Sequence, residues 1–353
     1  MRPRLARELA FAIPGDIETR TGGTIYDKRV MTELRAAGWT VEHLQWPSSF
    51  PFPSPTDEVT AAASLVALPD GALALIDGLA FGILPEVAAA EAKRLRLVAL
   101  VHHPLALESG LSPDDAQRLL ISERRALTHV RAVIVTSEMT AVTLERDYGV
   151  NRATITVATP GIEKPALTKT VHRRTVPKLL AVGTITPRKA YDVLIAGLAG
   201  IADLDWRCTI AGSLDRAPET VAAVRQQIRN HALSDRIHLI GEIADPTPLY
   251  EEADIFVLPS RYEGYGMAIA EALAHGIPVI ATRVGAIPEV VSDGSGILVP
   301  VDDPAALADG LRRLIENPSV RQQFADAAAL ASTRFASWGD TAARIASALD
   351  AVQ

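Results

Sequence analysis

Short runs of apolar and β-branched residues alternate with longer segments of helical period along most of the chain. The short runs have the composition of buried strands, and segments such as Gly22–Ala37, Pro113–Val130 and Met267–Ala274 have the spacing of helices. The predicted strands are Leu9–Pro14, Thr40–Leu44, Ala72–Ile76, Leu97–Val101, Ala132–Thr136, Thr154–Ala158, Lys178–Val182, Trp206–Ala211, Ile237–Ile240, Ile255–Leu258 and Pro278–Ala281. Alternation of this kind predicts parallel α/β sheets.

The alternation passes through two successive cycles, which a polar stretch separates. We predict an N-terminal domain of residues 1–162, a linker of residues 163–177, a second domain of residues 178–334 and a final helical segment of residues 335–353. Open parallel sheets bind ligands beyond the carboxyl ends of their strands. Two such domains are therefore expected to face each other across a ligand-binding cleft.

Composition excludes several classes of protein. The 353 residues, of which 48% are hydrophobic and 22% charged, fit two globular domains. The net charge of −7 argues against a nucleic-acid partner. Cys208 is the only cysteine, which excludes a disulfide scaffold and favours a reducing compartment. No apolar run reaches the ~18 residues that a membrane span needs, so we expect a cytoplasmic protein and leave peripheral contact with the inner membrane face open.

The segment from Glu263 to Glu271 has the strongest chemical pattern. It follows the predicted strand Ile255–Leu258 and leads through Gly264 and Gly266 into an apolar helix. Glycines at a strand-to-helix turn let the backbone approach a ligand and present amide groups at the positive helix end, which suits a diphosphate. The two carboxylates can accept hydrogen bonds from sugar hydroxyls. As an isolated pair, such carboxylates are more often a capping group and an exposed helix charge.

The surroundings of this segment resemble a known family. The runs Tyr250–Asp254, Pro259–Ala281 and Val284–Pro300 resemble, in continuous register, the signature of retaining glycosyltransferases of the group-1 type (family 4). These enzymes have the GT-B fold, with two Rossmann-like, doubly wound parallel-sheet domains facing across a cleft. The resemblance implies an N-terminal acceptor-binding domain, a C-terminal nucleotide-sugar-binding domain and a last helix that packs back on the first domain.

The resemblance also implies roles for the residues of the second domain. Glu263 would contact the transferred sugar and Glu271 the nucleotide ribose. The family places an Arg and a Lys on the donor phosphates in the loop after the first strand of this domain, and here Arg188 and Lys189 are the cations available. Many members have an Arg directly after the glycine, where this chain has Thr184. The full set of predicted donor contacts is Gly22, Gly23, Gly183, Arg188, Lys189, Gly212, Glu242, Ile243, Glu263, Gly264, Tyr265, Gly266, Met267 and Glu271.

The first domain has fewer residues that can be interpreted. His102 follows a predicted buried strand and is, by register, the counterpart of the family's active-site histidine, with His103 as the alternative. A structural histidine at a strand end is an equally good explanation from the residues alone. We name His102, Glu263, Arg188 and Lys189 as the catalytic candidates. The acceptor candidates in loops after predicted strands are Asp16, Asp77, His103 and Glu108, each of which by itself is more often a cap or a solvated charge.

The predicted function is transfer of a hexose, with retention, from a GDP- or UDP-sugar to a glycan, lipid-linked or small-molecule acceptor. We predict no metal and no cofactor besides the nucleotide sugar, and the sequence leaves the oligomeric state open. A nicotinamide-dependent oxidoreductase is disfavoured because neither lobe combines a G-x-G-x-x-G loop with an acid about 20 residues later. A GT-B epimerase and a non-catalytic, glycosyltransferase-like binding protein remain as alternatives.

Overall fold

The structure, a computed structural model, describes residues 7–165, 176–292 and 294–352. It divides into two compact units, the first formed by Met1–Gly161 with Ala336–Gln353 and the second by Ile162–Phe335. Most of the predicted linker lies outside the described residues, since these omit residues 166–175. No helix of the described part is long and apolar enough to cross a membrane.

The first unit contains a six-stranded parallel sheet in the order β2-β1-β3-β4-β5-β6. Its strands are β1 (Glu8–Pro14), β2 (Thr40–Trp46), β3 (Leu73–Asp77), β4 (Arg96–Val101), β5 (Ala132–Val135) and β6 (Ile155–Val157). Its helices are α1 (Gly22–Ala36), α2 (Pro55–Val66), α3 (Gly78–Phe81), α4 (Pro85–Glu91), α5 (Pro113–Leu127), α6 (Glu138–Tyr148) and, from the end of the chain, α14 (Trp338–Ala351). The central strands are buried on both faces, as strands of a sheet covered by helices must be.

Local sequence explains where α1 and α14 begin. Thr21 caps α1 through a hydrogen bond from the backbone of Thr24, and Ser337 caps α14 through one from Asp340. The final helix belongs to the first unit, where the Thr341 hydroxyl donates to the carbonyl of Thr159 at 2.7 Å. The chain therefore leaves the first unit once and returns to complete it.

The second unit contains another six-stranded parallel sheet, in the order β12-β11-β10-β7-β8-β9. Its strands are β7 (Lys178–Val182), β8 (Arg207–Ala211), β9 (Ile237–Gly241), β10 (Ile255–Leu258), β11 (Val279–Thr282) and β12 (Gly296–Val299). Its helices are α7 (Tyr191–Ala199), α8 (Pro218–Asn230), α9 (Thr247–Glu252), α10 (Met267–Ala274), α11 (Ile287–Val290), α12 (Pro304–Glu316) and α13 (Pro318–Ser332).

The predicted parallel α/β architecture is confirmed, with two sheets of six strands each. Among the described residues, one strand was not predicted: β12, which has four residues, begins with Gly296 and pairs with β11 at the sheet edge. A short edge strand with a glycine gives little apolar periodicity. Helix α2 was not predicted either, although its start has a recognisable signal: Ser54 caps α2 and Pro55 occupies its first position.

Each sheet has one topological switch point, where successive connections leave in opposite directions. In the first sheet it lies between β1 and β3, and in the second between β7 and β10. Ligands of open α/β sheets bind beyond the carboxyl ends of the strands at such points. The loops after these four strands are therefore the places to look for a functional site.

Candidate functional site

The loop after β7 brings two cations to the switch point of the second sheet. A 3-10 turn at Pro187–Lys189 follows the strand. The guanidinium of Arg188 donates to the carbonyl of Tyr262 at 2.9 Å, and the Lys189 ammonium lies 2.6 Å from Oε1 of Glu263. Both side chains are mostly buried. Arg188 and Lys189 are thus held against the loop that follows β10.

Glu263 is buried in the loop after β10, with 6% of its surface exposed. Its Oε1 accepts from the Lys189 ammonium and from the Ser260 hydroxyl, both at 2.6 Å, and its Oε2 lies 3.5 Å from the Arg188 guanidinium. The predicted cations and the first predicted glutamate therefore form one cluster, although 74 residues separate Lys189 from Glu263 along the chain.

The Glu263 carboxyl is ionised in this cluster. Burial by itself raises its pKa, but the charges of Lys189 and Arg188 and the hydrogen bonds from Lys189 and Ser260 outweigh burial and lower the pKa to about 2. One carboxylate and two cations leave one net positive charge. An anion of higher charge, such as a diphosphate, would be attracted to this position.

Helix α10 begins directly beside the cluster. Gly266 precedes its first residue with a φ of +97°, in the left-handed region that favours glycine. No side chain caps the start of α10, so its first amide groups are available to an external acceptor. Gly264, Tyr265 and Met267, the other predicted contacts of this segment, lie in the same turn.

Glu271 lies within α10 and has a different environment from Glu263. The Tyr250 hydroxyl donates to Glu271 Oε2 at 2.8 Å, and the Tyr250 ring stacks on the imidazole of His275. Burial raises the pKa of Glu271 to about 7; the hydrogen bond from Tyr250 opposes the rise and the charge of Glu163 adds to it. The pKa values of two glutamates in one motif are therefore shifted in opposite directions.

The loops after β8 and β9 hold the residues predicted to contact the nucleotide base. Gly212 approaches the β7 loop so closely that a Cβ on it would lie 2.0 Å from the carbonyl oxygen of Gly183. Glycine is therefore required for the two loops to pack. Glu242 is exposed and Ile243 half-buried after β9, so the structure places both at the carboxyl edge and gives neither a specific contact with the cluster.

Arg261, in the loop after β10, connects that loop to the loop after β7. Its guanidinium donates to the Pro187 carbonyl at 2.6 Å and to Asp192 Oδ2 at 2.7 Å, and it reaches Asp302 at 2.8 Å. The Arg261 backbone amide also donates to the carbonyl of Arg188 at 2.7 Å. These bonds fix the position of the β7 loop relative to the β10 loop.

In the first unit, His102 directly follows β4, the strand next to β3. Its Nε2 is 3.0 Å from Asp27 Oδ1 and 3.7 Å from Asp77 Oδ2. The edge of the ring meets Tyr26, with ring centroids 5.2 Å apart, and the ring is close enough to Gly23 that a Cβ there would lie 3.5 Å away. The end of β4 and the first two turns of α1 thus meet at this histidine.

Asp77 differs from the prediction. It was expected in a loop after a strand, but it is the last residue of β3, is 5% exposed and accepts from the Leu79 amide at 2.7 Å. It is buried because a parallel strand at the centre of the sheet is covered by helices on both faces. Burial and the charge of Asp27 raise its pKa to about 8, against the opposing charge of His102.

The trio formed by Asp27, Asp77 and His102 is the one group among residues 7–165, 176–292 and 294–352 whose ligand atoms are close enough to hold a metal ion, all lying within 4.8 Å of one another. The Nε2 of His102, however, is within hydrogen-bond distance of Asp27 Oδ1, at 3.0 Å. We assign no metal to the trio.

The other predicted residues of the first unit lie apart from this trio. His103 pairs with the exposed Glu108 at 3.3 Å. Asp16 is exposed and accepts from the Glu18 amide, which makes it the cap of a turn. Gly22 begins α1 and is exposed.

Sequence reasoning missed four residues that these clusters depend on. They are Asp27, Tyr250, Ser260 and Arg261. Ser260 stands three residues before Glu263, a spacing that signals a local hydrogen bond. Asp27 had no signal of this kind, because its partner His102 is 75 residues away.

Comparison with solved structures shows the class of fold. The chain superposes on a sucrose-phosphate synthase from Thermosynechococcus elongatus with a TM-score of 0.80 and 21% identity, covering 96% of this chain and 97% of that one. It superposes on HepE of Anabaena, solved in complex with UDP and glucose, with a TM-score of 0.76 and 19% identity, covering 97% and 99%. The fold is the predicted GT-B fold.

Comparison with sequence families identifies the particular family. The model "Glycosyl transferases group 1" matches residues 176–317, and the model "Glycosyltransferase Family 4" matches residues 76–164. A D-inositol 3-phosphate glycosyltransferase from Paenarthrobacter aurescens is 30% identical over 282 residues, which are 73% of this chain and 68% of that protein. The chain belongs to the group 1, family 4 glycosyltransferases, as its sequence resemblance indicated.

Other relatives of the same name are longer than this chain. The D-inositol 3-phosphate glycosyltransferase of Streptomyces bingchenggensis is 32% identical over 284 residues, which are 73% of this chain. The match spans 62% of that relative and 64% of the one from Corynebacterium diphtheriae.

Proposed function

We propose that the chain is a retaining glycosyltransferase that moves a hexose from a nucleotide diphosphate sugar to an acceptor hydroxyl. The observation that carries this proposal is the placement of Arg188 and Lys189 against the buried, ionised Glu263. The cluster lies at the switch point of a parallel sheet and beside the uncapped start of α10. Its net positive charge and the helix end both favour a diphosphate.

Arg188 and Lys189 would neutralise the diphosphate as it leaves. Departure of this group develops negative charge, and preorganised cations lower the barrier to it. This chain has Thr184 where many family members have an Arg directly after the glycine. We propose that Arg188 takes the role of that Arg, because its guanidinium contacts the same carboxylate as Lys189.

Glu263 would orient both the cations and the transferred sugar. A carboxylate has about four lone-pair sites. In the described part of the chain, Oε1 uses two of them, for Lys189 and Ser260, and Oε2 makes one long contact with Arg188. Oε2 therefore keeps the capacity to accept a hydrogen bond from a sugar hydroxyl.

The reaction would break the bond between the anomeric carbon and the phosphate oxygen, and form a bond from that carbon to the acceptor oxygen on the same face of the sugar. The acceptor proton would pass to the departing phosphate oxygen. No protein nucleophile is needed, and the cluster offers none, since Glu263 is already bound to two cations.

The nucleotide would lie along the carboxyl ends of the same sheet. Glu271 would accept from a ribose hydroxyl, and the loops at Gly212 and at Glu242-Ile243 would contact the base. GDP- and UDP-hexoses are the candidate donors. UDP-glucose is the first to test, because a protein of the same fold is described in complex with UDP and glucose.

The acceptor would be a glycan, a lipid-linked compound or a small molecule. The relatives' name makes D-inositol 3-phosphate the first acceptor to test. A cytoplasmic location, with contact to the inner membrane face left open, is likewise proposed.

Thermal-shift and hydrolysis assays with a panel of nucleotides and nucleotide sugars test the proposal. We expect one nucleotide sugar to raise the melting temperature and to be consumed. Lys189→Met should abolish consumption, whereas Lys178→Met, which removes an exposed lysine paired with Glu252 in the same unit, should not. If no nucleotide sugar is consumed and none stabilises the protein, the enzyme proposal is wrong. Binding of a nucleotide sugar without its consumption would favour a binding protein. Conversion of a nucleotide sugar to its epimer in the absence of an acceptor would favour an epimerase.

A further inference from the structure

We infer that Asp27 is a positioning residue, which holds the His102 ring through Nε2 so that Nδ1 is the nitrogen offered to a substrate. The role of His102 in catalysis rests on the proposed function. The arrangement of Asp27 and His102 rests on geometry in the first unit and can be tested without any activity.

The first step is the hydrogen bond itself. Asp27 lies on α1 with none of its surface exposed, and its Oδ1 is 3.0 Å from Nε2 of His102. Its Oδ2 is buried and has no hydrogen-bond partner among the described residues. Burying a carboxylate is costly unless it is paired and hydrogen-bonded, here through Oδ1. The His102 ring provides that interaction.

The second step is the immobilisation of the ring. Tyr26 meets the ring at an angle of 85°, and Gly23 lies against its Cδ2 side. The backbone at this point is also held, because the Thr136 hydroxyl donates to the His102 carbonyl at 3.0 Å. A histidine held in this way cannot exchange its two nitrogens by rotation without losing the Asp27 bond.

The other ring nitrogen of His102 is Nδ1. No hydrogen bond to His102 Nδ1 occurs within residues 7–165, 176–292 and 294–352, and the side chain retains 19% exposure. With Nε2 assigned to Asp27, Nδ1 is the nitrogen that can meet an oxygen atom of a hydroxyl or a phosphate. A histidine oriented by a carboxylate on its other nitrogen is a common arrangement at functional sites.

The charges around the ring favour its protonated form. The ionisable groups that face it are Asp27 and Tyr26 from α1 and Asp77 from β3. Burial lowers the pKa of His102, but Asp27 and Asp77 outweigh burial and raise it to about 9. At neutral pH the ring would therefore donate a hydrogen bond from Nδ1.

The ring-nitrogen shifts of His102 in the wild-type protein provide one test. In ¹⁵N-labelled protein above pH 9, the neutral His102 ring should carry its proton on Nε2, which the two ring-nitrogen shifts report; His102→Gln identifies the signals among the 8 histidines. A neutral ring with its proton on Nδ1 would overturn the inference, whatever the protein catalyses.

Asp27→Asn provides the second test. It keeps the shape of the side chain and removes the charge, so the midpoint of the His102 titration should fall by about two pH units, towards the ordinary histidine value near 6.5. Glu123→Gln is the matched control, because Glu123 is an equally buried acid of the same unit that binds the Leu105 amide instead. An unchanged His102 midpoint in Asp27→Asn would contradict the inference.

Kinetics connect the arrangement to function. Once a donor and an acceptor are known, Asp27→Asn should lower kcat/KM by about 10- to 100-fold, the range typical for removal of a residue that orients a functional histidine. Nucleotide affinity, measured in the absence of acceptor, should stay as in the wild type. If Asp27→Asn lowers the His102 midpoint and leaves turnover intact, Asp27 does not position a catalytic histidine. If no donor is consumed by the wild type, the proposed function fails and the two NMR results still decide the role of Asp27.

Discussion

Replacing Glu263 and Glu271 by glutamine should change the pH dependence of stability in opposite directions. Glu263 is ionised in the folded protein, with a pKa lowered from 4.5 to about 2, and Glu271 has a pKa raised from 4.5 to about 7. A depressed carboxyl pKa stabilises the folded state above the unfolded pKa, and this stabilisation is lost as the pH falls. A raised pKa stabilises the folded state below the unfolded pKa, and this is lost as the pH rises.

The magnitude for Glu263 follows from its shift. Lowering the pKa of Glu263 from 4.5 to about 2, at 1.36 kcal/mol per pH unit, stabilises the folded state by about 3 kcal/mol at neutral pH. The side chain is nearly fully buried, so solvent screening does not reduce the figure much. The free energy of unfolding of the wild type, relative to Glu263→Gln, should fall by about 1.4 kcal/mol per pH unit from about pH 4.5 towards pH 2. For Glu271→Gln, the wild type should lose stability relative to the variant between about pH 4.5 and pH 7.

Unfolding of the second unit can be followed separately. Trp206 is fully buried there, whereas Trp39, Trp46 and Trp338 belong to the first unit. With these three changed to phenylalanine, urea unfolding followed by tryptophan fluorescence reports the second unit at each pH. The quantity to compare is the difference in the free energy of unfolding between wild type and variant at each pH. The contributions of the other carboxyl groups are the same in both proteins and cancel. Parallel stability profiles for the wild type and Glu263→Gln between pH 5 and pH 3 would refute the assignment of an ionised, cation-bound Glu263.

Three further outcomes are expected once a donor is known. Arg188→Met should lower kcat by about 10- to 1000-fold, as loss of one preorganised charge donor does. An effect no larger than that of Lys178→Met, the exposed-lysine control, would show that Arg188 does not replace the absent family Arg. Tyr250→Phe removes the hydrogen bond that lowers the pKa of Glu271, so nucleotide affinity measured by calorimetry should weaken at pH 7 and recover at pH 8.5; a loss equal at both pH values would contradict the role of that bond. Gly212→Ala places a Cβ 2.0 Å from the Gly183 carbonyl, so the loops must separate and the KM for the donor should rise at least 10-fold, and an unchanged KM would mean that the β8 loop does not shape the donor site.

Much of the fold could be predicted from the sequence because buried parallel strands give strong, short apolar runs. Strands β7 and β10 begin and end where the sequence predicted. Strand β12 gave no such run, since an edge strand is not covered on both faces and this one begins with glycine. Apolar periodicity therefore predicts strands at the centre of a sheet better than strands at its edge.

The spacing of the segment from Glu263 to Glu271 could be interpreted from the sequence for a different reason. Glu263, Gly264, Gly266 and Glu271 are close in sequence, so their spacing relative to one strand and one helix is readable along the chain. Asp27 could not be found in this way. It lies on α1, which follows β1, whereas His102 follows β4, so their contact depends on β1 and β4 lying on either side of β3. Long-range pairs of this kind require the sheet order, which the sequence did not provide.

The electrostatic state of each glutamate was also beyond the sequence. Glu263 and Glu271 are the same residue type in one short motif, yet Lys189 lowers the pKa of Glu263 against the effect of burial, whereas burial raises the pKa of Glu271 against the hydrogen bond from Tyr250. Both determining residues lie outside the motif, 74 and 21 positions away. A family member that keeps both glutamates but loses the cation at the position of Lys189 should therefore hold a buried carboxylate with only the long Arg188 contact and the Ser260 hydrogen bond, which is destabilising and raises that carboxyl's pKa. The motif by itself is thus insufficient evidence for a working donor site, and the residues at positions 189 and 250 should be examined together with it.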